Sequence, residues 1–121
     1  MSFDLGVWAI PQSISDAQAM RIYEELCEEN AASVRDDPGV QRFAQALLEQ
    51  FPALEDLADE QIEDSPWSVS PWVTGSHVII STVWSRSSEV TQFVLGLTGQ
   101  YGLVCFDPQD AVVVHRPSTP A

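Results

Sequence analysis

A chain of 121 residues with 45% hydrophobic residues holds enough apolar surface for one core and is too short for two. Eighteen acidic residues against five arginines, with no lysine, give a formal charge of −13. That balance excludes the cationic footprint on which nucleic-acid binding depends and makes anionic membrane surfaces repulsive.

Residues 3–10 alternate loosely, with Phe3, Leu5, Val7 and Ala9 on one side and Asp4, Gly6, Trp8 and Ile10 on the other. A segment apolar on much of both sides reads as a central strand. After the break at residues 11–13, Ser15 with Gln18 forms a capping box that opens a helix. Its inner stripe is Ala19, Ile22, Tyr23, Leu26 and Cys27, and Arg21, Glu24, Glu25, Glu28 and Glu29 take the outer face. Asp37-Pro38 supplies an N-cap and an N1 proline for a second helix, with Val40, Phe43, Ala44, Leu47, Leu48 and Phe51 inward and Pro52 as its stop.

Residues 53–64 read as a charged connector carrying Glu55, Asp56, Asp59, Glu60, Glu63 and Asp64, with room for one short helical turn. Residues 67–74 follow as an edge strand, since Pro71 lacks a ladder donor. Gly75-Ser76 closes a hairpin onto the β-rich run 77–84. Residues 86–100 return to helical spacing through Val90, Phe93, Val94 and Leu97, with serines 85, 87 and 88 as candidate caps and Gly102 as the stop. Two last strands, 103–106 and 111–115, flank the turn at 107–110.

The order β-α-α-β-β-α-β-β defines an α+β class. Right-handed crossovers applied to it give a ferredoxin-like sheet in the order 4-1-3-2, with the last strand beside the fourth and the helices packed on one face. The expected organisation is a single domain over 1–116 and a flexible tail over 117–121. No apolar run of membrane-spanning length occurs and residues 1–4 lack a basic leader region, so the expected compartment is the cytoplasm.

No catalytic motif is legible. His77 and His115 stand alone on strands, with no metal-ligand spacing, no G-x-S-x-G and no phosphate-binding loop, so no catalytic residue, metal or cofactor is expected. Cys27 and Cys105 read as two buried, reduced thiols. Trp8, Trp67, Trp72 and Trp84 are a different matter: each indole N–H needs a partner when buried, and a small domain rarely buries four. Together with His77 they are candidate ligand or interface residues.

Charge is uneven along the chain. Residues 1–64 hold fifteen acids and three arginines, residues 65–121 three acids and two arginines. A dense negative helical layer steers a basic protein partner. The candidate contact residues are Glu24, Glu25, Glu28, Glu29, Asp56, Asp59, Glu60, Glu63 and Asp64.

The segments Ser2-Phe3-Asp4-Leu5 with Val7-Trp8, Asp37-Pro38-Gly39-Val40 leading to Phe51-Pro52, Ser65-Pro66-Trp67, and Gly102-Leu103-Val104-Cys105-Phe106-Asp107-Pro108-Gln109 resemble a widespread family of small acidic bacterial proteins of actinobacterial type. Members are similar in size, charge and cytoplasmic character to the immunity proteins of toxin systems. The resemblance implies a non-enzymatic binding protein that neutralises a toxin through its acidic helical face. Two alternatives stand beside it. One is a small-ligand binder or enzyme with a pocket between the sheet and residues 53–71, lined by Trp67, Trp72, His77 and Trp84; the other is a homodimer formed through an uncovered sheet face.

Overall fold

The computed structural model describes residues 2–9 and 14–115. Ile10, the break at 11–13 and the tail over 117–121 lie outside the described residues. Among the described residues the architecture is α+β, a five-stranded antiparallel sheet with four helices. In chain order these are β1 (Ser2–Trp8), α1 (Asp16–Cys27), α2 (Pro38–Gln50), α3 (Asp59–Ile62), β2 (Trp67–Val73), β3 (His77–Val83), α4 (Ser87–Tyr101), β4 (Val104–Asp107) and β5 (Val112–His115). The strands lie in the order β2-β3-β1-β4-β5.

The helix starts follow local chemistry. Ser15 N–H donates to Gln18 Oε1 at 3.0 Å and Gln18 N–H to Ser15 Oγ at 3.1 Å, a reciprocal cap on α1. Asp37 Oδ1 takes the Gly39 N–H at 2.7 Å, ahead of Pro38 at the start of α2. At the end of α4, Gly102 adopts φ 65°, the left-handed geometry that glycine reaches without steric cost. The start of α4 departs from expectation: none of the serines caps it, and Arg86 occupies the N-cap without a side-chain bond to the first turn's N–H groups.

The helices do not share one face, as the sequence reading expected; they cover both. Leu5 and Val7 of β1, Val78 and Ile80 of β3, and Cys105 pack against Val40, Phe43 and Leu47 of α2 and Val90, Val94 and Leu97 of α4. On the opposite face Trp8, Val104, Phe106 and Val113 pack against Ala19 and Leu26 of α1. The cause is visible in β1, where Leu5, Gly6, Val7 and Trp8 are all buried, so each side of the strand requires a cover. Gly6 is demanded by that second cover, because a Cβ there would stand 2.8 Å from the Trp8 ring and 2.9 Å from the Tyr23 ring. Cys105 is fully buried as expected. Cys27 is not: it is the last residue of α1 and opens an exposed run through residue 33.

Side chains complete the sheet where backbone cannot. The β1–β4 register pairs Gly6 with Phe106, so continued pairing would set Asp4 against Pro108, which has no N–H. Gln109 substitutes for it: its Oε1 accepts the Asp4 N–H at 2.6 Å and its Nε2 donates to the Asp4 carbonyl at 2.8 Å. Asp107 Oδ1 holds the turn by accepting the Gln109 N–H at 2.9 Å. At the β5 edge, Asp16 Oδ1 accepts the Val113 N–H at 2.9 Å and ties α1 to the sheet. Trp67 Nε1–H reaches the Phe51 and Pro52 carbonyls at 3.0 and 3.1 Å, satisfying the end of α2. β2 is an edge strand with register shifts on either side of Val69, the irregularity that Pro71 predicts.

Gln109→Ala removes both bonds to Asp4 and is expected to lower unfolding stability by about 1–2 kcal/mol in urea titration, with Gln109→Glu no better because it loses the donor. Gly6→Ala is expected to cost about 1–3 kcal/mol by overpacking against Trp8 and Tyr23, read as a lowered denaturation midpoint at unchanged urea dependence.

Candidate functional site

Four of the five aromatic and histidine candidates separate into three places. Trp67 lies in the core between the sheet and α2, 3% exposed, with its ring edge-on to Phe51 at 6.0 Å and its N–H bonded as above. Trp84 lies at the far end of the sheet, 47% exposed, edge-on to Phe3 at 5.2 Å. Beside Phe3 is an open depression of about 300 Å³ bounded by Ser87, Ser88, Thr91 and Gln92. Trp72 and His77 stand on the α1 side of the sheet, in ring contact at 5.2 Å. The expected pocket between the sheet and residues 53–71 is therefore not formed by these residues, because alternation sends Trp67 to one face and Trp72 with His77 to the other.

The structure adds Trp8 to the Trp72–His77 pair. Trp8 and His77 are directly opposed residues of β1 and β3. His77 is almost wholly buried, and its Nδ1 lies 2.8 Å from Ser76 Oγ and 3.0 Å from Thr74 Oγ1. Thr74 Oγ1 also accepts the Ser76 and His77 N–H groups, so the hairpin turn and the imidazole form one network. The far side of that network is bare: among the described residues, the buried side-chain polar atoms without a partner are Trp8 Nε1 and His77 Nε2. Burial pushes the His77 imidazole below its ordinary value. Ser76 and Thr74, which the sequence reading did not single out, were discernible only as turn residues. Burial holds the Cys105 thiol at about 12, with Asp107 adding to it, so it is no nucleophile at neutral pH.

The acidic candidates fall into two groups. Glu24, Glu25, Glu28 and Glu29 lie on or just past the end of α1, which packs over β4 and β5. Asp56, Asp59, Glu60, Glu63 and Asp64 belong to the connector beside β2 at the other edge, where Leu54 N–H donates to Ser70 Oγ at 3.0 Å. Because the sheet separates α1 from α2 and the connector, the expected single acidic helical layer is divided in two. Between Asp64 and Arg86 no residue is charged, so the hairpin of β2 and β3 is neutral. Among the described residues the ion pair is Arg86 with Glu89, which lowers the Glu89 carboxyl through its hydrogen bond.

No helix among the described residues is long and apolar enough to cross a membrane. Comparison with protein-family models, with curated proteins and with solved structures gives no match.

The buried neutral state of His77 sets a pH dependence. The unfolded chain binds a proton near the ordinary value of 6.5, while the folded chain resists protonation until lower pH. Stability is therefore complete above that value and declines as the pH falls from it toward the lower folded value. His77→Asn is expected to flatten this part of the profile, measured as the difference in urea midpoint between variant and parent from neutral pH to about pH 5.

Proposed function

We propose that the protein is a non-enzymatic binding protein that takes a basic protein partner on the acidic end of α1, in the manner of an immunity protein that masks a cationic toxin. One observation carries this reading: α1 ends in carboxylates that form no ion pair among the described residues, with only the Ser33 hydroxyl donating to Glu25 at 3.1 Å. Glu24, Glu25, Glu28 and Glu29 crowd the negative end of the helix dipole, and the last turn carries no basic residue. Each such charge costs about 0.3–1 kcal/mol at low salt.

The backbone at the same place is also held against preference. Glu29 N–H donates to the Leu26 carbonyl at 3.0 Å and Asn30 N–H to the Glu25 carbonyl at 2.9 Å, the two bonds of a Schellman motif. Glycine normally occupies the left-handed position of that motif; here Glu29 does, at φ 63°. A partner's cations would relieve the charge repulsion at this helix end, and the left-handed Glu29 holds one of the carboxylates there in place of the usual glycine. The connector acids at the other edge add to long-range attraction rather than to this contact.

The accompanying readings are a bacterial cytoplasmic protein of the family whose segments the chain resembles, and a ferredoxin-like sheet extended by β5. The second draws on connectivity: β3 separates β1 from β2, β1 separates β3 from β4, and each separated pair is joined through helices.

Glu29→Gly is expected to stabilise the fold by roughly 1 kcal/mol, and replacing Glu24, Glu25, Glu28 and Glu29 together by Gln to raise Tm further at low salt. Against the protein captured from host extract by the parent chain, the fourfold variant should associate about tenfold more slowly or worse and lose salt dependence, followed by surface plasmon resonance. Unchanged affinity and unchanged salt response in that stable variant would remove α1 as the contact.

A further inference from the structure

Trp8 Nε1 and His77 Nε2 are buried polar atoms without partners in residues that are 0% and 3% exposed. Native folds leave few such atoms, because an unsatisfied buried donor or acceptor costs about 1–3 kcal/mol. These two belong to directly opposed residues on one face of β1 and β3, where Cβ atoms stand about 4.5–5.5 Å apart. The register thus sets the two residues beside each other on that face, and each leaves one nitrogen unsatisfied.

The two atoms have complementary demands. An indole N–H can only donate, whereas one imidazole nitrogen accepts whenever the other carries the proton. Thr74 Oγ1 receives two backbone N–H groups, at 3.2 and 3.1 Å, and lies 3.1 Å from the His77 carbonyl to which it donates. Its hydrogen-bonding capacity is thereby filled. Ser76 Oγ at 2.8 Å is then the hydroxyl that decides the tautomer: where it accepts the Nδ1 proton, Nε2 keeps its lone pair.

We propose that Trp8 and His77 form a two-point site for one neutral hydroxyl group, which accepts a hydrogen bond from Trp8 Nε1–H and donates one to His77 Nε2. The guest is taken as uncharged because β1 and the β2–β3 hairpin bring no charged side chain of their own to the pair, none occurring from 65 to 85 or from 5 to 9, and the Asp36 carboxylate nearby lies against Gly75 in the turn. Its hydroxyl belongs either to an ordered water or to a small alcohol. Trp72, edge-on to His77 and 39% exposed, separates the site from solvent and is the side chain past which a guest enters.

The test is nitrogen-15 NMR on the parent chain at neutral pH, which requires no variant to fold. Long-range nitrogen–proton spectra are expected to show His77 as the Nδ1–H tautomer, and the Trp8 indole proton to show a cross-peak to a hydroxyl proton. Ethanol is then titrated. Saturable shifts confined to Trp8 and His77 identify the alcohol as guest, and a water cross-peak indifferent to ethanol identifies ordered water; both sustain the site. Trp72→Ala should speed exchange of the Trp8 indole proton about tenfold. An Nε2–H tautomer, or an indole proton with neither a hydroxyl cross-peak nor a response to ethanol, overturns it.

Discussion

β1 buries residues on both of its sides, and that constraint organises the rest of the molecule. Leu5 and Val7 require α2 and α4 on one face; Gly6 and Trp8 require α1 on the other. A strand with a polar side would have left α1 free to join the other helices, and the sheet would have been two layers deep. The same constraint explains why Gly6 is the smallest residue in the strand. It lies beneath two aromatic rings whose contacts with Phe106, at 6.1 Å from Trp8 and 5.8 Å from Tyr23, build the second core.

Much of the fold was legible where local chemistry decides it. The Ser15–Gln18 box, Asp37 with Pro38, Gly102, and the edge character of the strand bearing Pro71 are each set by a few neighbouring atoms, and each lies where its residues indicate. The distribution of helices over two faces was not legible, although the two-sided character of residues 3–10 already pointed to it; a helix's apolar stripe does not say which face of a sheet it meets. For the same reason Cys27 was misplaced, since a stripe can run one residue beyond its support. The candidate site was half legible. His77 and Trp72 could be singled out by residue type, but the pairing of Trp8 with His77 depends on a register between segments far apart in the chain, which periodicity does not contain.

Apart from Ile62 in the connector and Trp84 near Arg86, charge and exposed apolar surface lie in different places. The acids gather at the end of α1 and in the connector, while β2 and β3 carry none and expose Val69, Trp72 and Val73. Two surfaces of opposite character on so small a body permit two independent kinds of contact: a long-range electrostatic one at α1 and a short-range one at the neutral hairpin.

The sheet order also fixes when the chain can fold. β1 is made first, yet the residues it pairs with in β3 lie about seventy or more positions later, and those in β4 about a hundred. During synthesis β1 emerges with neither of its sheet neighbours yet made, a non-local topology that forms slowly. Fifteen acids against three arginines in residues 1–64 give that unpaired segment a like charge, which opposes association with its own copies while the sheet is incomplete.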